Sequence, residues 1–112
     1  MITFDELELM LDDISYEMPD DFYQKLNGGI ILSPDTKLHK ESNENRLLYI
    51  VGEYHNDRTG YGGLGRYIVV YYGSFTKVYC HLNLEEQRKK LKEVIIHEFT
   101  HHLESLRSED VV

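Results

Sequence analysis

The apolar residues of the first eighteen positions recur at steps of three and four residues. This spacing follows the helical period, so it predicts an amphipathic helix with one buried face. Thr3 and Glu6 fit a capping box at its start, because each side chain can bond the backbone amide of the other residue. We predict that the helix ends near Met18. Its apolar stripe consists of Phe4, Leu7, Leu11, Ile14 and Met18.

A second, short helix is predicted over residues 20–26. Pro19 fits the start of this helix, since its fixed φ suits a first turn and its missing amide is not needed there. Asp20 and Asp21 favour the positive end of the helix dipole. Asn27 and the two glycines after it tolerate positive φ, so the helix should end there.

From residue 30 the pattern changes to segments rich in β-branched and aromatic side chains, which are typical of strands. Strands are predicted over residues 30–32, 46–54 and 66–72. The polar segment 33–45 and the glycine-rich segment 56–65 are predicted loops. Residues 73–82 fit either an extension of the third strand as a hairpin or a helical turn. A last helix is predicted over residues 84–106, with Asn83 as its N-cap.

These elements define the α+β class. A chain of 112 residues, 41% of them apolar, is long enough for one compact core and too short for two ordinary domains. A single domain over residues 1–112 follows.

Charge and composition exclude several classes of partner. Acidic residues outnumber basic ones by 20 to 12, and the basic residues form no dense patch, which argues against nucleic acid. No run approaches the roughly 18 apolar residues of a membrane span, and residues 1–13 lack the features of a signal peptide. We therefore expect a cytoplasmic protein without a membrane partner. Cys80 is the single cysteine, so the chain has no internal disulfide and no cysteine cluster for zinc.

The last predicted helix contains His97-Glu98-Phe99-Thr100-His101, a His-Glu-x-x-His motif. Residues four apart lie on one helical face, so His97 and His101 can present both imidazoles to one divalent ion. Two imidazoles, a third protein ligand and an open position for water describe a catalytic zinc site. Glu98 lies beside the ion and can take a proton from the metal-activated water as the general base.

The helical period places the histidines of this segment on two different faces of the helix. Leu91, Ile95, Phe99, His102 and Leu106 fall on one arc. His97 and His101 lie almost opposite that arc, so they are not predicted to be core residues. His102 lies on this arc. It is expected to be a buried core histidine or to donate a hydrogen bond to a metal ligand.

The third ligand is open from the residues alone. Glu104 follows His101 by three and His97 by seven positions, so all three share one face, and Glu and His three apart chelate one metal in helical di-iron proteins. Asp110 is the alternative third ligand if the chain turns back after the helix, and Glu109 is a less favoured one.

These residues resemble the small zincin-like metallopeptidase family of bacteria, also called minimal metalloproteases. The resemblance is carried by Phe4-Asp5-Glu6-Leu7, by the aromatic strand within residues 65–73 and by residues 97–106. It implies a small zincin-like α+β domain, in which a three- to four-stranded mixed sheet packs on the motif helix. Many members have glycine and aspartate where this chain has Glu104 and Arg107, so the resemblance leaves the third ligand open.

The function that follows is a zinc-dependent metallopeptidase, a hydrolase with one zinc ion that cleaves a peptide or protein of unknown identity. The alternative is a non-catalytic, metal-stabilised binding module, in which a carboxylate closes the coordination sphere and no position is left for water.

Overall fold

The computed structural model describes residues 1–57 and 65–110, apart from the side chain of Asp110. Its helices are α1 (Phe4–Glu17), α2 (Tyr72–Tyr79) and α3 (Leu84–Asp110), and a short 3₁₀ turn covers Asp20–Tyr23. Its strands are β1 (Gly29–Ser33), β2 (Lys37–Leu38), β3 (Tyr49–Ile50), β4 (Gly52–Asn56) and β5 (Arg66–Tyr71). The α+β class and the long carboxy-terminal helix are confirmed.

The first helix begins and ends as its sequence predicts. The Thr3 amide donates to Glu6 Oε1 at 3.0 Å, and the Glu6 amide donates to Thr3 Oγ1 at 3.1 Å, which completes the capping box. Leu7, Leu11 and Ile14 are buried on the inner face.

The helix predicted over residues 20–26 is wrong in type and in length. Only the four residues Asp20–Tyr23 form a helical turn, and it is a 3₁₀ turn. Lys25 has a φ of 60°, so the chain leaves helical geometry before Leu26.

The main sheet is mixed, as expected. Its strand order is β1-β5-β4, with β1 parallel and β4 antiparallel to the central β5. β5 supplies the buried side chains Ile68 and Val70, which explains its apolar sequence. β4 is an edge strand of this sheet as far as the described residues show.

The single strand predicted over residues 46–54 is wrong, because the chain passes from one sheet to another within it. β3 pairs with β2 in a separate two-stranded sheet, whereas β4 pairs with β5. The change takes place at Val51, whose carbonyl accepts the Tyr71 amide at 2.8 Å. β2 lies in the predicted loop 33–45, and its two residues are too few to show an alternating pattern.

The two remaining segments have different outcomes. Residues 72–79 form α2, so the ambiguous segment is helical. Most of the predicted loop 56–65 lies outside the described residues.

Helix α3 extends beyond its predicted end. Asn83 caps it as expected, since its Oδ1 accepts the Glu86 amide at 2.8 Å. The helix continues for 27 residues to Asp110, four positions beyond Leu106. Glu17 of α1 forms ion pairs with Arg88 and Lys92, which tie the two helices together. None of the helices in the described part of the chain is both long and apolar enough to span a bilayer.

One core lies between the helices and the main sheet. Its buried apolar residues are Ile2, Leu7, Leu11, Ile14, Met18, Leu26, Ile68, Val70, Phe75, Leu91, Ile95 and Phe99. Three of them belong to α3, so burial of this arc fixes the rotation of the helix about its axis.

We predict that Asn83→Ala lowers the free energy of unfolding by about 1 kcal/mol, because the Glu86 amide loses its acceptor. Asn83→Asp keeps an acceptor oxygen and should remain close to wild type. Urea unfolding of both variants measures the difference. An equal loss in the two variants would contradict the capping role.

Candidate metal centre

The two motif histidines meet at one point on the exposed face of α3. His97 Nε2 and His101 Nε2 lie 3.1 Å apart, and the rings are nearly perpendicular, at 87°. Both residues are exposed, opposite the buried arc. Two imidazole lone pairs at this distance repel each other unless a proton or a cation lies between them. The pair is therefore arranged either to share a proton or to bind one ion.

The distance between the two nitrogens suits zinc. Two nitrogens at about 2.0 to 2.1 Å from a tetrahedral ion lie roughly 3.3 Å from each other. The observed separation of 3.1 Å is within a few tenths of an ångström of that value. His97 and His101 thus fit two positions of a tetrahedral zinc site without a change in the backbone.

Glu98 differs from His97 and His101 because it is buried, with only 6% of the residue exposed. Burial raises the pKa of Glu98 above its ordinary value, and the nearby His97 and His101 oppose that shift. A carboxylate with a raised pKa is a stronger base than one with an ordinary pKa. The role of Glu98 as the general base stays a prediction.

Glu104 lies beside His101, but at its second ring nitrogen. Its Oε2 is 3.9 Å from His101 Nδ1, and its side chain is 65% exposed. From this side a carboxylate can hold the proton on Nδ1 and leave Nε2 free for a metal. Within residues 1–57 and 65–109, no three side chains of His, Cys, Asp or Glu are grouped closely enough to hold a metal. Of the predicted ligands, the structure thus brings together His97 and His101.

Asp110 is the last residue of α3, and its side chain lies outside the described part of the structure. The helix does not turn back after Leu106. Since each helical residue advances about 1.5 Å, the backbone of Asp110 lies roughly 13 Å along the axis from His101. Glu109 is bound instead to Arg66 of β5.

The motif lies in an open cleft between α3 and β4. One half of the cleft, about 570 Å³, extends towards the end of α3, and the other, about 410 Å³, towards its start. His97, Glu98, Ile50 and Gly52 line both halves. The remaining lining of the first half is mostly polar and consists of Glu53, Tyr54, His101, Glu104, Ser105 and Ser108. The remaining lining of the second half is mostly apolar and consists of Tyr49, Val51, Glu93 and Val94.

Glu53 is a cleft residue that the sequence pattern did not single out. Its Oε1 accepts from Lys37 Nζ at 2.5 Å and from the Tyr71 hydroxyl at 2.6 Å. Burial alone would raise the pKa of Glu53, but these hydrogen bonds outweigh it and leave the pKa below its ordinary value. Glu53 is therefore held ionised, and its charge is offset by Lys37.

His102 is a core residue, as its position on the apolar arc predicts, and it is fully buried. Its Nε2 lies 2.7 Å from the Gln24 carbonyl, which can only accept, so Nε2 must carry the proton. The neutral ring then accepts at Nδ1 from the Tyr54 hydroxyl, 2.8 Å away. His102 thus fixes Tyr54 in the wall of the cleft.

Comparison with known proteins supports the fold and assigns no activity. No protein-family model matches this chain, and no curated protein matches it. The chain is similar to the solved structure of a conserved hypothetical protein from T. thermophilus. The TM-score is 0.78 and the sequence identity 28%, over 96% of this chain and 99% of the other.

We predict that His102 makes the stability of the metal-free protein depend on pH. Burial lowers the pKa of folded His102 below its ordinary value of 6.5. Below that pH the unfolded chain binds a proton that the folded chain resists, so the free energy of unfolding falls as the pH falls. In His102→Asn this dependence should weaken by up to about 1.4 kcal/mol per pH unit.

Urea unfolding between pH 7 and pH 5 measures this slope. His81→Gln replaces an exposed histidine and should keep the wild-type slope. An unchanged slope in His102→Asn would show that the buried ring does not contribute.

Proposed function

We propose that this chain is a zinc-dependent metallopeptidase of zincin-like fold, in which His97 and His101 bind one zinc ion and Glu98 is the general base. One observation carries the proposal: two imidazole nitrogens 3.1 Å apart adjoin a buried carboxylate in the middle of an open cleft. A helix face that served only solubility would need neither the buried carboxylate nor the facing nitrogens.

The role of each group follows from its chemistry. When bound, a zinc ion supplies Lewis acidity towards a peptide carbonyl and lowers the pKa of a water molecule. Glu98 accepts the proton of the attacking water and passes it to the leaving amine. Its burial removes competing solvent from that transfer. No side chain needs to form a covalent bond with the substrate.

The geometry of the cleft favours an extended peptide as the substrate. β4 and α3 run side by side in the same direction, since Tyr54 contacts His102 and Asn56 contacts Ser105. An extended peptide can add to the outer edge of β4 and pass over the motif. Backbone hydrogen bonds to β4 would then hold its carbonyl groups in register with Glu98.

The third ligand stays a prediction, with Glu104 as the first choice. Asp110 is the alternative only if the end of α3 unwinds, since its backbone lies roughly 13 Å along the axis from His101. Glu104 lies in the cleft and is exposed enough to change its rotamer. Three protein ligands and one open position are the arrangement that catalysis needs.

We predict that Glu98→Gln abolishes peptide hydrolysis and keeps zinc. The amide cannot accept a proton, and loss of a general base typically lowers kcat by about 10² to 10⁴. The assay is cleavage of an unstructured protein, with zinc content measured on protein purified without a histidine tag. Glu85→Gln, on the exposed first turn of α3, is the matched control and should retain activity.

Equal hydrolysis in Glu98→Gln and wild type would contradict the proposal. Zinc near one equivalent per chain, without hydrolysis by the wild type, would favour the metal-stabilised binding module instead.

For the third ligand, we predict that Glu104→Gln weakens zinc binding by at least about tenfold, since either a ligand or the partner of His101 Nδ1 is lost. Asp110→Asn should bind zinc like wild type. Competition against a chromophoric chelator measures both affinities. Weaker zinc binding in Asp110→Asn than in Glu104→Gln would assign the third ligand to Asp110.

A further inference from the structure

Gly52, the first residue of β4, has no conformational reason to be glycine. The described glycines with positive φ are Gly29 and Gly65, so the backbone at Gly52 is one that other residues adopt. A glycine within a strand lowers stability, and it commonly marks a place where another part of the structure approaches closely. The reason for this glycine must therefore lie in the space around it.

That space is occupied by α3. A Cβ atom at position 52 would lie 2.7 Å from Val94 Cγ1 and 3.4 Å from both Cγ and Oε2 of Glu98. Valine is stiff at χ1, so Val94 cannot readily turn away from such a contact. The turn of α3 that carries Glu98 thus packs directly on the backbone of β4.

We propose that Gly52 is a positioning residue for Glu98. Its missing side chain lets the Val94–Glu98 turn approach β4 and places the Glu98 carboxylate against the strand at the point where the two halves of the cleft meet. This inference rests on the proposed function, because it assigns Gly52 a part in the work of Glu98. Gly52 itself touches neither the metal nor the bond that is cleaved.

A distinct consequence follows from where the groups are attached. His97 and His101 both belong to α3, so a displacement of the helix moves them together and leaves zinc binding intact. The peptide, however, is held along β4. A side chain at position 52 therefore moves Glu98, together with the two histidines, away from a substrate held on β4, without changing the arrangement of the two histidines.

The test compares Gly52→Ala, Val94→Ala and the double variant. In Gly52→Ala we expect kcat to fall by about a hundredfold with KM and zinc affinity unchanged, since a misplacement of about 1 Å has that effect. Val94→Ala in the same chain removes the 2.7 Å contact and keeps the methyl group beside Glu98. The double variant should therefore recover both the Tm and the kcat of Val94→Ala, because the turn that carries Glu98 can approach β4 again.

Gly29→Ala is the control for a loss of stability alone. Its φ of 66° strains any other residue, but a Cβ there meets no atom within 4 Å. It should lower Tm and leave kcat unchanged. If Gly52→Ala, like Gly29→Ala, loses Tm but keeps the wild-type kcat, Gly52 serves packing only and the proposal is overturned. A kcat that stays at the Gly52→Ala level in the double variant overturns it as well.

A second readout separates this inference from the proposed function. In crystals of metal-free Gly52→Ala, the Glu98 carboxylate should lie farther from the β4 backbone than in the wild type, and in the double variant it should return. An unchanged position of Glu98 in Gly52→Ala overturns the role of Gly52. A wild type without hydrolysis would overturn the peptidase proposal alone.

Discussion

The packing of α3 on the core and on β4 is the constraint on which the rest of the structure depends. Leu91, Ile95 and Phe99 are fully buried, so the helix cannot rotate without exposing a large apolar area. That rotation fixes the direction of every other side chain on α3. His97 and His101 face outward into the cleft because their neighbours on the opposite face are held in the core.

Glu98 occupies the boundary between these two faces. It lies against β4 with only 6% of the residue exposed, and burial of a carboxylate is costly unless it is paired or protonated. A cation bound by the adjacent imidazoles would offset that cost directly. The same burial that destabilises the metal-free chain thus favours metal binding, which gives a physical reason for a buried carboxylate at this position.

The local patterns of the chain were sufficient for the elements whose environment is set by their own sequence. The capping box of Thr3 and Glu6, the apolar strand β5 and the Asn83 cap of α3 are all confirmed. The division of residues 46–54 between two sheets was not predictable, because it depends on pairing with Lys37–Leu38 and with β5. The 3₁₀ turn Asp20–Tyr23 and the extension of α3 to Asp110 depend on tertiary contacts in the same way.

The residues of the candidate site differ in the same way, between those set by local sequence and those set by tertiary contacts. His97, Glu98 and His101 were found from one motif because a single helix brings them together. Gly52, Glu53 and Tyr54 reach the site only because β4 lies beside α3, which is distant in sequence, and no pattern within β4 indicates this. The third ligand depends on the rotamer of Glu104, or on unwinding of α3 before Asp110, and a helical period can specify neither.

The most direct test of a zinc site at His97 and His101 is anomalous diffraction from zinc-soaked crystals, with data collected on both sides of the zinc absorption edge. We predict one anomalous peak between the two imidazoles, at about 2.0 to 2.1 Å from His97 Nε2 and His101 Nε2. A map without that peak, in which the two rings still share a hydrogen bond, would contradict it.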